Sequence, residues 1–310
     1  MKTIYVITGQ TATGKTNYAI ELAKETNGEL INCDSRQVYK KLDIITGKEL
    51  QETGRKFNIT KKLNNFDLGA YHFKKNDTRI WLYDIVDPKE PFSSFDYRVC
   101  ALEIIQSILY RNKTPIIVGG TYFYIKHLLY GTIETLIEPN EKLREELNDK
   151  SIGQLQNILK KMDLELFNSL NNSEQHNPHR LIRKIEILKS DIVNFTKYPS
   201  IFELLPENPV EVIGFMYASK EKLSSKIADR VEQRIKNGAI EEVEKLLKNG
   251  YTANDPGLRT IGYVQIMDYL QSIISFDTMK EQWINKEIQY AKRQSTFMKT
   301  DPNIIWQQID

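Results

Sequence analysis

Two cysteines, Cys33 and Cys100, are all that the 310 residues contain. Two thiols alone cannot close a zinc knuckle, and a structural disulfide is not expected of them. Long apolar runs are missing as well. No stretch approaches the roughly 20 apolar residues that span a bilayer, and the first apolar run leads straight into a glycine-rich loop instead of a signal-peptide cleavage site. Neither membrane insertion nor secretion is expected, and a cytoplasmic setting is. An excess of one charge is absent too: 43 Lys and Arg against 41 Asp and Glu leave a net +2, so bulk charge announces no polyanion partner. No internal repeat is found. What remains is a globular balance, 40% hydrophobic and 27% charged, in a chain long enough for one large domain and a smaller inserted one.

Where the charge sits says more than its sum. Lys and Arg gather in 179–189, 220–236 and 286–299, each of which reads either as a solvated helix face or as part of a phosphate-facing surface. In the first third, strand signals at 3–8, 29–33, 79–86 and 114–118 alternate with helix signals at 15–26 and 94–110. That alternation predicts an α/β fold with a parallel sheet covered by helices. Pro115 falls at the start of its strand, where proline is tolerated. From 133 to 205 the apolar spacing is helical throughout, as in "LREELNDKSIGQLQNILKKMD" and "PHRLIRKIEILKS". Residues 1–132 and 206–310 are therefore expected to form the core, with 133–205 a helical insertion. A strand signal returns at 210–217, helices follow from 220 to 300, and "NIIWQQ" reads as an edge strand. Residues 48–78 have weak periodicity and fit either a loop or a small hairpin.

Three strand ends carry the chemistry. Gly9-Gln10-Thr11-Ala12-Thr13-Gly14-Lys15-Thr16 fits G-x-x-x-x-G-K-[ST] completely and lies between a strand and a helix. Backbone amides of such a loop bind anionic oxygens, Lys15 adds a point charge, and the Thr16 hydroxyl is the expected Mg²⁺ contact. The strand in "LINCDSRQVY" ends at Asp34, which a doubly wound sheet turns toward the ligand crevice. Other roles open to Asp34 are capping a turn or helix through Ser35 and serving as an outer-sphere Mg²⁺ ligand. "IIVGGT" is a third buried strand, ending in Gly119 and Gly120, which permit close approach to the backbone, before Thr121 opens a helix.

The order of these motifs, GQTATGKT, DSRQVY, LDIITGK, DIVDP, IIVGGTYFYIKHLLYG, PHRLIRK, DRVEQRI, LRTIGY and AKRQ, resembles the tRNA dimethylallyltransferase (isopentenyltransferase) family over about residues 3 to 308. DSRQVY and VGGTYFY are the specific parts. The resemblance implies a P-loop NTPase-like sheet whose loop holds the diphosphate of dimethylallyl diphosphate, with Mg²⁺, instead of a nucleoside triphosphate. It implies that Lys15 and Thr16 hold diphosphate and metal, that Asp34 is general base for the exocyclic amine of an adenine, and that Arg230 neutralises the leaving diphosphate. Ser35, Arg36 and Gln37 would line the path of the target base. By the same resemblance the anticodon stem-loop of tRNA would be contacted by Asp34, Thr121, Arg144, His179, Arg180, Arg183, Arg259, Gly262, Tyr263, Lys292 and Arg293.

The residue types suit that chemistry. An ionising allylic diphosphate builds charge on its leaving group, which fixed cations and amides stabilise. The amine needs a base, and an adenosine stacked in a loop must be turned out to reach it. Departures from the family pattern are Arg79-Ile80-Trp81, where relatives often carry paired histidines, the long 48–78 stretch, and Lys220 and Lys226 where arginine is frequent. The absence of a C-terminal zinc-finger extension suggests a bacterial-type enzyme, and with no obvious self-association face a monomer is expected. Other functions open to the motifs are transfer to free AMP, a small-molecule P-loop kinase, and a non-enzymatic RNA-binding module.

Overall fold

A computed structural model describes residues 1–48, 58–63, 65–73, 78–131, 140–190 and 199–310. Among them, eight strands form one sheet: β1 (Ile4–Gly9), β2 (Gly28–Asn32), β3 (Asn58–Leu63), β4 (Phe66–His72), β5 (Arg79–Trp81), β6 (Thr114–Val118), β7 (Val210–Tyr217) and β8 (Ile304–Ile309). Their spatial order is β3-β4-β5-β2-β6-β1-β7-β8. All pairs from β5 to β8 are parallel. The β3–β4 and β4–β5 pairs are antiparallel, so the expected parallel sheet carries an antiparallel hairpin on one edge. β2 and β6 are buried at every position and β1 at all but one. Central strands covered on both faces need such near-continuous apolar runs.

The helices are α1 (Lys15–Thr26), α2 (Ser94–Tyr110), α3 (Tyr122–Tyr130), α4 (Glu141–Asn148), α5 (Ile152–Met162), α6 (Leu164–Ser169), α7 (Asn172–Gln175), α8 (Pro178–Lys189), α9 (Ile201–Leu204), α10 (Lys220–Lys236), α11 (Ala239–Lys248), α12 (Tyr263–Leu270) and α13 (Phe276–Met298). α2 shows how local sequence sets an element. Ser93 and Asp96 form a reciprocal capping box at its start, and Tyr97, Ala101, Ile104, Ile105 and Ile108 make its buried face. No described helix is long and apolar enough to cross a membrane.

The chain divides into two compact units, one of Met1–Leu129 with Phe202–Asp310, the other Tyr130–Ile201. The sequence-derived limits were 133 and 205. Within the second unit the described elements are helices, packed through Leu143, Leu147, Leu155, Leu159, Phe167, Leu181 and Ile185. Leu155 and Leu159 lie four apart on α5, as Leu181 and Ile185 do on α8, so each helix turns one stripe inward.

Two expectations change. The strand predicted at 79–86 ends at Trp81, because Leu82 (φ 65) and Asp84 (φ 56) take left-handed backbone conformations that a strand cannot contain. Within 48–78, the described residues form the β3–β4 hairpin, while 49–57, 64 and 74–77 lie outside the described residues. At the start of β2, Glu29 is fully buried. Trp81 Nε1 (2.8 Å), Arg111 Nη2 (2.8 Å) and Lys113 Nζ (3.0 Å) surround its carboxylate. Burial alone would raise its pKa; hydrogen bonds from Arg111, Trp81 and Lys113 outweigh that and bring it to about 2.

Candidate active site

Backbone geometry shapes the loop between β1 and α1. At Gly9 (φ +133) a Cβ would stand 2.1 Å from the Phe215 carbonyl oxygen, so no side chain fits. Ala12 (φ 63) and Gly14 (φ 75) are left-handed, and Gly14 begins α1 with no side-chain cap on the first amides. Uncapped amides at a helix start present donors and a positive dipole end. The loop is fastened to β7: the Gln10 side-chain oxygen accepts from Tyr217 N (2.9 Å), and the Tyr217 hydroxyl donates to Ala12 O (2.5 Å).

Lys15 folds back over this loop. Its Nζ donates to Gln10 O (2.5 Å) and contacts the Thr13 hydroxyl (3.4 Å). Its pKa is lowered to about 7, chiefly by burial and then by the neighbouring Arg230 charge, with Asp34 acting in the opposite direction. Arg230 reaches the loop from α10. Ile227 and Val231, each 1% exposed, anchor that helix as expected, and half-buried Arg230 donates from Nη1 to the Thr11 hydroxyl.

Asp34 follows β2. Its backbone N donates to Asn32 Oδ1 (3.1 Å), and its Oδ1 accepts from Arg36 N (2.8 Å). The turn-capping role considered from the sequence is present, closed on Arg36, and it holds the carboxylate at the cavity wall. The Thr121 hydroxyl accepts from Ser35 N (2.9 Å) and lies 3.3 Å from Ser35 Oγ, so the IIVGGT segment braces the DSRQ turn. A Cβ on Gly119 would come 2.1 Å from Cys33 O, and one on Gly120 2.7 Å from Gln294 Nε2. What approaches these glycines is the protein itself: Gln294 Nε2 donates to Gly120 O (2.6 Å).

These groups open into one cavity of about 1370 Å³. Its wall includes Thr11–Asn17, Asp34, Gln37, Arg230, Arg234 and Tyr290. Burial, with Asp34 nearby, pushes the Tyr290 hydroxyl up to about 12. No group of three His, Cys, Asp or Glu side chains able to hold a metal lies among the described residues. The Thr16 hydroxyl and the Asp34 carboxylate are hard oxygen donors on the cavity wall. Such a sparse set, completed by substrate oxygens, suits Mg²⁺ better than a transition metal.

Sequence reasoning missed Arg234, Glu242 and Lys48, which build the cavity wall together with the expected Gln37. Arg234 is buried (6% exposed) and bonded to Glu287 Oε1 (3.1 Å). It continues the stripe Leu223, Ile227, Val231, a signal visible in the spacing of α10. Glu242, on α11, accepts from the backbone N of Asp43 (2.9 Å), Ile44 (2.7 Å) and Ile45 (3.3 Å). Gln37 Nε2 donates to Thr46 O (3.0 Å) and Gly47 O (3.1 Å), and buried Lys48 bonds Tyr39 O (2.7 Å), Asp43 Oδ1 (2.9 Å) and Asp84. The 43–48 turn, with no periodic pattern of its own, is thus held from all sides.

Four expected RNA contacts are otherwise engaged. Tyr263 is 0% exposed and donates to Glu242 Oε1 (2.6 Å). Gly262 (φ +96) is packed so closely that a Cβ would meet Ile45 Cγ2 at 2.6 Å and Trp283 Cε2 at 2.8 Å. Neither can touch a macromolecule. In the helical unit, buried Glu186 accepts from Arg144 Nε (2.7 Å), Arg144 Nη2 (2.9 Å) and Arg183 Nη1 (2.6 Å). Both guanidiniums serve an internal carboxylate. His179, Arg180, Arg259, Lys292 and Arg293 are exposed, as their expected role requires, and Arg180 also lies 3.4 Å from Glu174 Oε1.

Residues 65–301 match the family model described as IPP transferase, and residues 2–80 match one described as isopentenyl transferase. Among curated proteins, a tRNA dimethylallyltransferase of Thermoanaerobacter sp. (strain X514) is 34% identical over 99% of this chain and 92% of its own length. Among solved structures, the tRNA Δ(2)-isopentenylpyrophosphate transferase of Staphylococcus epidermidis is 28% identical. It has a TM-score of 0.64, covering 99% of this chain and 93% of that one. A eukaryotic dimethylallyltransferase acting on tRNA superposes with a TM-score of 0.74 over 99% of this chain and 74% of its own, at 24% identity, which speaks for the fold alone.

Proposed function

The chain belongs to the IPP transferase family, and from that premise we infer that it is a tRNA dimethylallyltransferase, a prenyltransferase that modifies an adenosine of tRNA. The donor is dimethylallyl diphosphate and the acceptor is the N6 amine of the adenosine 3′ to the anticodon. The observation that carries this reading is that Lys15, Thr16 and Arg230 share one cavity with Asp34, so diphosphate and acceptor groups meet across it.

The C1–O bond of the donor breaks as the N6 nitrogen bonds to C1, and diphosphate departs. Negative charge grows on the leaving oxygens, where the Gly9–Thr16 amides, Lys15 and Arg230 await it without reorganising. Asp34 takes the proton that N6 gives up. Arg36 N fixes the orientation of its carboxylate. The Thr16 hydroxyl would hold Mg²⁺, which when bound would supply Lewis-acid stabilisation. Exposed His179 and Arg180 in the helical unit, and Arg259, Lys292 and Arg293 in the other, are left to meet RNA phosphates. Ser35, Arg36 and Gln37 shape the base path through backbone they hold in place. The enzyme acts as a monomer in the cytoplasm, where its tRNA resides.

The test is to offer labelled dimethylallyl diphosphate with total tRNA or with AMP. Label in tRNA is expected. Label in AMP alone would redirect the activity to the free nucleotide, and phosphoryl transfer from ATP without prenylation would make the protein a kinase.

A further inference from the structure

Two guanidiniums stand side by side where only one had been assigned a task. A Cβ placed on Gly47 would lie 2.8 Å from Arg234 Nη2 and 3.0 Å from Arg230 Nη2, so both arginine tips converge on one point of the 43–48 turn. Arg230 faces the loop through Thr11. Arg234, one turn further along α10, lines the same cavity, and its hydrogen-bond partner among the described residues is Glu287, on α13. A guanidinium carries five N–H donors in a rigid fork. Bringing buried Arg234 beside half-buried Arg230 is unfavourable through desolvation and like-charge repulsion, which the nearby Glu287 and Asp34 carboxylates only oppose. An arrangement of that kind is stable in function when an anion completes it.

We propose that Arg234 is the second arm of a two-arginine clamp on the diphosphate, with Glu287 as its positioning residue and Gly47 as the side-chain-free point around which both arms close. The proposal rests on the diphosphate reading of the site. Two forks on one polyanion give directional bonds that a lysine at either position cannot reproduce. Glu287 aims the Arg234 fork and also neutralises it, so the carboxylate and the diphosphate compete for the same charge. That competition gives the two side chains opposite effects on anion affinity. A merely structural ion pair would give parallel effects.

Calorimetric titration with pyrophosphate reads this out. Wild type should bind, and Lys15→Ala should abolish binding. Arg234→Gln should weaken it roughly 10- to 100-fold, the scale of a charge-assisted contact, and Glu287→Gln should tighten it at least about twofold. If wild type does not bind, or Lys15→Ala binds as wild type does, the diphosphate reading falls and the clamp with it. With those two controls as expected, unchanged affinity in Arg234→Gln overturns the clamp alone. Weaker or unchanged binding in Glu287→Gln overturns the competition between carboxylate and anion. Should Arg234→Gln fail to show a native circular dichroism spectrum, Arg234→Lys serves instead. Partial binding supports the clamp, and wild-type affinity removes it.

Discussion

Arg230 on α10 donates to the hydroxyl of Thr11 in the β1–α1 loop, joining side chains 219 positions apart. A surface ion pair of this arginine would contribute at most about 1 kcal/mol. A fork meeting charge as it develops on a leaving group contributes far more. Arg230→Ala should lower kcat/KM for the donor about 100-fold or more, and Arg230→Lys should recover only part. Melting temperature should barely move in either. Unfolding of Arg230→Ala, with full activity in whatever fraction stays folded, would make the residue structural.

Asp34→Ala should reduce turnover by on the order of 10² to 10⁴-fold while tRNA still binds, as expected for loss of a general base. Because Asp34 also holds Arg36 N, Asp34→Asn is the better-matched variant: the turn is retained and the base is lost. Wild-type turnover in Asp34→Asn would leave the carboxylate with its capping role only.

Binding of tRNA should weaken steeply with salt. Neutralising Arg180, Lys292 or Arg293 should each flatten the log–log slope by roughly 0.7 to 0.9. Arg183→Gln should leave the slope alone and reduce thermal stability, because its partner is the buried carboxylate of Glu186. Filter binding over a salt series checks both halves of that statement.

Lys15 makes a prediction about stability. Its pKa is lowered to about 7 from 10.5, so between those values the unfolded chain binds the proton that the folded one has lost. Stability therefore rises with pH across that window, and the cost of the buried charge is fully present below pH 7. Lys15→Met should melt higher than wild type at pH 7, with the advantage shrinking toward pH 10, while donor binding is lost. An equal advantage at both pH values would contradict the titration.

Glu29 differs in that its charged form stabilises the fold, although stability again rises with pH. Its pKa is lowered to about 2, so its contribution is complete above 4.5 and disappears as pH falls toward 2. Glu29→Gln should cost on the order of 3 kcal/mol at neutral pH, since Arg111 and Lys113 keep their charges and lose their partner. Urea unfolding at pH 7 and at pH 3 measures it, and the gap between variant and wild type should narrow at the lower pH.

The strand-end motifs were legible because each is local: the loop glycines, Asp34 at the end of β2 and Gly119-Gly120 at the end of β6 are read from a few neighbouring residues. The clamps around them were not. Glu242 is joined to Ile44 across 198 positions, and Arg234 to Glu287 across 53. Charged residues on a helix look the same in sequence whether they meet solvent, a backbone turn or a buried partner. Tyr263 and Gly262 mislead for the same reason, since a motif shows that residues belong together without showing which way they face. Leu82 and Asp84 look like strand residues in composition, and only their left-handed backbone conformations end β5.

The position of β1 also governs when the loop can form. β1 lies between β6 and β7, pairing Ile4 with Val210 and Gly9 with Phe215. A nascent chain therefore presents its anion-binding loop long before the strand that fastens it has been made. At about 5–20 residues per second, some 200 residues of synthesis take roughly 10 to 40 s. The contiguous unit 130–201 emerges within that interval with its own apolar core. The helical unit is thus positioned to fold on the ribosome first, and the phosphate loop among the last parts to acquire its native walls.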